Sequence, residues 1–217
     1  MRTDAELKRA VEEELAFEPS VVATDVGVTV KGALVTLLGT VPSYAAKWAA
    51  ERAAERVSGV RALAKELAVK LPGESKRSDQ DIGKAALQVL AWDVQVPDDC
   101  LKVEVQNGFV TLKGQVYWNY QREAAEHDIR KLTGVVGVSN QIVLKPHVSA
   151  KEVQSKIESA LQRRAIKDAH RIMVEADGGK ITLRGQVHCW AEREDAEFAA
   201  WAAPGVFEVH DQIQIQP

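Results

Sequence analysis

The sequence of 217 residues predicts an α+β fold written three times, each copy running α-β-β-α-β. Three observations point to it. The segments LVTLLGTV (34–41), FVTLKGQV (109–116) and KITLRGQV (180–187) align without gaps. Glycines recur in register at Gly39, Gly114 and Gly185, and 20 residues later a Gly-Val pair follows at Gly59, Gly134 and Gly205. Within each copy the apolar spacing changes from four to two and back, as it does when helix gives way to strand. Register offsets of 75 and 71 also carry Asp4 onto Asp79, and Val28 onto Val103 and Val174. The copies divide as residues 1–71, a polar linker 72–78 (Pro-Gly-Glu-Ser-Lys-Arg-Ser), 79–146 and 147–217. The second join, Pro146 to Ser149, is shorter and predicts closer coupling of the second and third copies.

The first helix of each copy carries an apolar stripe: Leu7, Val11, Leu15; Ile82, Ala86, Leu90; Val153, Ile157, Leu161. Asp4, Asp79 and Ser149 are the expected caps at its start. Two strands alternate next, with Val26, Val28, Val30 and then Val35, Leu37 in the first copy. Asn107-Gly108 and Gly178-Gly179 suit a two-residue hairpin turn with positive φ, whereas Gly32-Ala33 predicts a different turn in the first copy. The second helix begins near Ala45, Gln121 and Ala191, and turns small or apolar residues inward: Ala50, Ala54, Val57; Ala125, Ile129, Leu132; Ala196, Ala200, Ala203. Gly59, Gly134 and Gly205 then suit a left-handed residue ending that helix. Strands at 64–71, 139–146 and 210–217 close the units. Each unit is thus two helices packed on one face of a three-stranded sheet. Gly39, Gly59, Gly108, Gly114, Gly134, Gly179, Gly185 and Gly205 are read as structural glycines.

Composition narrows the function classes. With 46% hydrophobic and 27% charged residues the chain is a folded globular protein. Its net charge is −3, and residues 1–71, 72–146 and 147–217 carry 0, −1 and −2, so no nucleic-acid partner is expected. Cys100 and Cys189 stand far apart without a ligand set, which argues against a disulfide framework or a zinc site. No apolar stretch has the length of a leader or a membrane span, so the expected location is the cytoplasm, at most peripheral to a membrane. None of the five histidines recurs between copies, and no residues gather as a nucleophile and base or as a metal cluster. No catalytic residues, metal or cofactor are expected.

The stretch QNGFVTLKGQVYWNYQREAAEHDIRKLTGVVGVSNQIVL (106–144) resembles the BON domain family of bacterial osmotic-stress and nodulation proteins, and the likeness recurs in all three copies. The family's frequent asparagine before the last strand stands at Asn140, with Lys65 and Asp211 in the other copies. The resemblance implies an αββαβ fold and association with phospholipid or envelope assemblies under osmotic or other stress.

Aromatic and basic residues carry the candidate contacts. Tyr117, Trp118 and Tyr120 follow a strand directly, and Tyr44 and Trp190 stand at or beside the equivalent place. Rings at a strand-to-helix junction suit a membrane interface, but three small units need large side chains to make a core, which favours the edge of a core or a seam between copies. Trp48 and Trp201 have no counterparts, which favours copy-to-copy or partner contacts, whereas Trp92 aligns with Phe17 and is expected to be structural. Arg163, Arg164, Lys167 and Arg171 form a basic group for an anionic lipid or another acidic partner. The expected function is a non-enzymatic binding module. Its first candidate partner is an anionic phospholipid surface, and its second is a protein, including self-assembly.

Overall fold

The computed structural model describes residues 2–97, 100–145, 153–163 and 172–216. Three αββαβ units follow one another, each with its own three-stranded sheet. The first holds α1 (Asp4–Phe17), β1 (Val26–Lys31), β2 (Leu34–Val41), α2 (Tyr44–Arg56) and β3 (Ala62–Val69). The second holds α3 (Asp79–Trp92), β4 (Leu101–Gln106), β5 (Phe109–Val116), α4 (Asn119–Arg130) and β6 (Gly137–Leu144). The third holds α5 (Val153–Arg163), β7 (Ile172–Asp177), β8 (Lys180–Val187), α6 (Trp190–Trp201) and β9 (Glu208–Ile215). In every sheet a hairpin pairs the first two strands, and the last strand returns parallel to the middle one. That parallel return requires a crossover, which the second helix supplies.

The stripes read from the sequence are the ones that are buried. Leu7, Val11 and Leu15 meet Val35, Leu37, Ala50 and Ala54 in the first core, and matching residues build the other two. Inward-facing strand residues alternate with outward polar ones, so each sheet has one covered face. The last strands start two residues earlier than their alternation suggests, at Ala62, Gly137 and Glu208. Parallel pairing sets that start, because Leu34, Phe109 and Lys180 stand opposite those residues.

The caps differ from expectation. Thr3 and Ser78 hold the N-cap positions, Thr3 in a reciprocal capping box with Glu6. Asp4 and Asp79 therefore turn their carboxylates to the hairpins. Asp4 accepts from Gly32 and Ala33 backbone N–H at 2.9 and 3.3 Å, and Asp79 accepts from Asn107 and Gly108 at 2.8 Å each. Ser149 lies outside the described residues.

The first hairpin is no exception either. Gly32 and Ala33 take φ of 59° and 65°, close to the 51° and 76° of Asn107 and Gly108. Asp4 makes the same pair of bonds as Asp79, which holds Ala33 in a conformation it would otherwise avoid. The third hairpin is the one that differs, since Gly178 has φ 61° and Gly179 lies outside the left-handed region. Gly59, Gly134 and Gly205 do have positive φ, at 106°, 97° and 85°. They sit three or four residues beyond the last helical residue, in the turn to the closing strand, and so do not themselves terminate the helix.

Trp92 and Phe17 reverse their expected role. At the ends of α3 and α1 they are 83% and 81% exposed, so neither covers a core.

Candidate functional site

The second helices of the three units carry the most chemistry. Superposed by register, their first residues are Tyr44, Asn119 and Trp190. In the first and third units this residue reaches into a neighbour. Tyr44 packs on the core of the second unit, where burial, and then the Glu126 carboxylate, hold its hydroxyl above the usual tyrosine value. Trp190 packs on the core of the first unit, and its Nε1–H donates to the Val60 carbonyl at 3.0 Å. Trp201 and Phe207 of the third unit pack on the core of the second. Unit one thus touches two, two touches three, and three touches one. The ring closes.

Charged groups reinforce each seam. The Arg130 guanidinium lies 4.0 Å over the Trp48 ring between the first and second units. Arg122 lies 4.9 Å over Trp201 between the second and third, and burial pushes its guanidinium below its ordinary value. Arg52 makes a two-pronged ion pair with Glu194 between the first and third. The three helices enclose an open cavity of about 940 Å³ whose wall mixes these arginines with Glu123, Glu194 and Glu197.

The candidate residues fall into three groups. Trp48, Trp190 and Trp201 lie in the seams. Tyr117 and Tyr120 are 50% and 51% exposed, and Trp118 beside them is half-buried. The Lys145 ammonium stands 5.2 Å over the Tyr117 ring, just beyond β6. Arg164, Lys167 and Arg171, and the side chain of Arg163, lie outside the described residues. Sequence reasoning missed Arg52, Arg122, Arg130 and Glu194 as seam residues. A search for charges standing at unequal register positions in the three copies would have picked out Arg52 and Arg130. Among the described residues no group of three or more His, Cys, Asp or Glu side chains is arranged to hold a metal. No helix among them is long and apolar enough to cross a membrane.

The position of the family asparagine solves one problem in three ways. Asn140 Nδ2 donates to the Arg122 carbonyl and to Glu126 at 3.1 Å each. In the first unit Lys65 reaches Glu51 and Glu55 of α2 at 3.2 Å each. In the third, Asp211 accepts from Arg193 of α6 at 2.5 Å. Each time the residue ties the closing strand to the second helix.

Osmotically-inducible protein Y of Escherichia coli (strain K12) is 30% identical over 147 residues, covering 65% of this chain and 73% of the relative. CdsD, a structural protein of the type III secretion system of Chlamydia trachomatis, is 13% identical with a TM-score of 0.25, over 96% of this chain and 91% of that one. The C-terminal domain of CdsD gives 13% and 0.26, with full coverage of both chains. The family model described as BON domain matches residues 3–70, 78–146 and 149–217. With almost every residue inside one of those three matches, the chain belongs to the BON domain family.

Proposed function

We propose that the chain is a non-catalytic binding module that associates with anionic phospholipid surfaces during osmotic or envelope stress, as a cytoplasmic protein peripheral to the membrane. The observation that carries this reading is the exposed Tyr117 ring with the Lys145 ammonium above it. A half-exposed ring and an adjacent cation suit the headgroup layer, where the ring inserts and the ammonium meets phosphate. The basic residues Arg163, Arg164, Lys167 and Arg171 supply further charge. The relative named as osmotically inducible supports the stress setting. Three linked copies strengthen contacts that are weak singly.

Pelleting with liposomes tests the reading. Wild-type protein is expected to sediment with anionic but not with neutral vesicles, and added salt is expected to release it. Tyr117→Ser with Lys145→Glu, or Arg163→Glu with Arg164→Glu, should each weaken sedimentation. Trp118→Ser should weaken it with less salt dependence, because its contribution is apolar. Failure of wild-type protein to pellet at low salt overturns the lipid reading. A protein-docking scaffold then takes its place, a reading favoured by Trp48, Trp190 and Trp201, which already serve as docking residues between units.

A further inference from the structure

The outward sheet faces of the three units are not alike. In the second unit Lys113 of the middle strand pairs with Glu104 of β4 at 2.6 Å. In the third, Lys180 and Arg184 of the middle strand pair with Glu208 of β9 at 2.8 Å and with Glu175 of β7 at 3.1 Å. Cross-strand pairs of this kind suit a face turned to water. The middle strand of the first unit carries no charge at all, and its outward residues are Leu34, Thr36, Leu38 and Thr40. Leu34 and Leu38 are 42% and 40% exposed, and beside this row stand Thr29, Ala62, Ala64 and Ala68. Two charges remain on the face. Lys31, beside Leu34 on β1, and Glu66, beside Leu38 on β3, occupy opposite corners with Thr36 midway between them. Among the described residues neither has an ion-pair partner.

Opposite charges at opposite corners make the face complementary to itself. Consider a twofold axis lying in the face through Thr36, at right angles to the line from Lys31 to Glu66. It turns a second copy onto the first so that each lysine meets the other copy's glutamate. The same rotation brings Leu34 over Ala64 and Leu38 over Thr29, large side chain on small, and sets Thr36 against its own counterpart. The strands of the two sheets then cross steeply, near the orthogonal class of sheet packing. We propose that the outward sheet face of the first unit joins two copies of this chain in a weak, symmetric dimer. It is weak because three short strands offer a face of roughly 300 Å², well below the roughly 800 Å² that each partner gives to a stable interface. The dimer does not rest on the anionic-lipid reading, whose residues lie in the second and third units.

Sedimentation equilibrium of the full chain tests the dimer. Between about 10 μM and about 1 mM protein the wild-type mass should rise toward that of a dimer, with a dissociation constant of roughly 0.1–1 mM for so small an area. Lys31→Glu and Glu66→Lys each set like charges face to face at both corners, and each alone should weaken association about tenfold or more. Mixed in equal amounts, the two variants should associate again, because every glutamate then meets a lysine. The double variant should recover association for the same reason. Both residues are exposed, so the fold is expected to survive each change, and far-ultraviolet circular dichroism checks that it does. Thr36→Lys places two ammonium groups together on the axis and should abolish the dimer. A wild type that stays monomeric at the highest concentration overturns the proposal and leaves the face to a partner of other chemistry. Association that neither charge reversal weakens, that mixing does not restore, or that Thr36→Lys leaves unchanged overturns it too, and puts the contact elsewhere on the molecule.

Discussion

Asp4 and Asp79 begin helices that Thr3 and Ser78 already cap, so their carboxylates are left to bond elsewhere. Each reaches 28 and 29 residues along the chain to two backbone N–H groups of a hairpin turn, and so fixes the turn against the first helix. The recurrence of the aspartate was legible, but its partner was not, because a cap and a tertiary acceptor look alike in one dimension. The glycines were more legible, since positive φ is a local demand, yet their costs differ with surroundings. A Cβ at Gly59 would meet only Leu7 Cδ1, at 3.4 Å, whereas one at Gly134 would meet Arg77 Cβ at 2.8 Å and Ile82 Cδ1 at 3.1 Å. Gly59→Ala should therefore cost about 1 kcal/mol, for φ alone. Gly134→Ala should cost about 2–4 kcal/mol, since steric overlap adds to the strain. Urea denaturation of the two variants checks the order, and equal losses would contradict the packing assigned to Gly134.

Element by element, the closing strand shows how one register position can be rebuilt with different chemistry. Asn140 bonds as an amide, Asp211 through Arg193, and Lys65 through two glutamates of α2. Burial disfavours the Lys65 charge, but Glu51 and Glu55 outweigh it and hold the ammonium above the usual lysine value. A raised lysine stabilises the fold at all pH below its unfolded value, and that contribution fades only as pH climbs through the raised one. Lys65→Met should thus destabilise the protein at neutral pH by about 1–2 kcal/mol, discounted for a side chain that is partly in water, and it leaves two nearly buried carboxylates facing each other. Thermal melts across pH check this: the gap to wild type should persist at neutrality and narrow only in strongly alkaline buffer. Helices were legible here because four-residue stripes are unambiguous. The closing strands were placed two residues late because AKELAVKL alternates poorly and its start follows from pairing with β2.

At the scale of the molecule, the seams are narrow. A compact single domain of this mass would expose about 9,900 Å², and three separate thirds about 13,300 Å². The surface of 12381 Å² lies nearer the second figure, so the units keep separate cores and meet over small areas. Trp48 and Trp201 hinted at copy-to-copy contact by lacking counterparts. Closure of the first unit on the third was not legible, because Arg52 and Glu194 are 142 residues apart and no local pattern joins them. Small seams also make the ring easy to open. The first unit is held by Trp48 against Arg130 and by Trp190 against Val60, with a polar stretch at 72–78 as its tether. Trp48→Ala combined with Trp190→Ala removes two of its three aromatic contacts, Tyr44 being the third, and leaves α1, the sheet and most of the core of that unit intact. Interfaces of this size permit relative domain motion once their few large side chains are lost. Small-angle scattering of wild-type protein should give a radius of gyration of about 17 Å or slightly more, the value for a compact chain of this length. The double variant should give a clearly larger radius with unchanged far-ultraviolet circular dichroism, because the units remain folded as they separate. An unchanged radius would mean that Tyr44 and the Arg52–Glu194 pair suffice to hold the ring, and that the tryptophans are not what closes it.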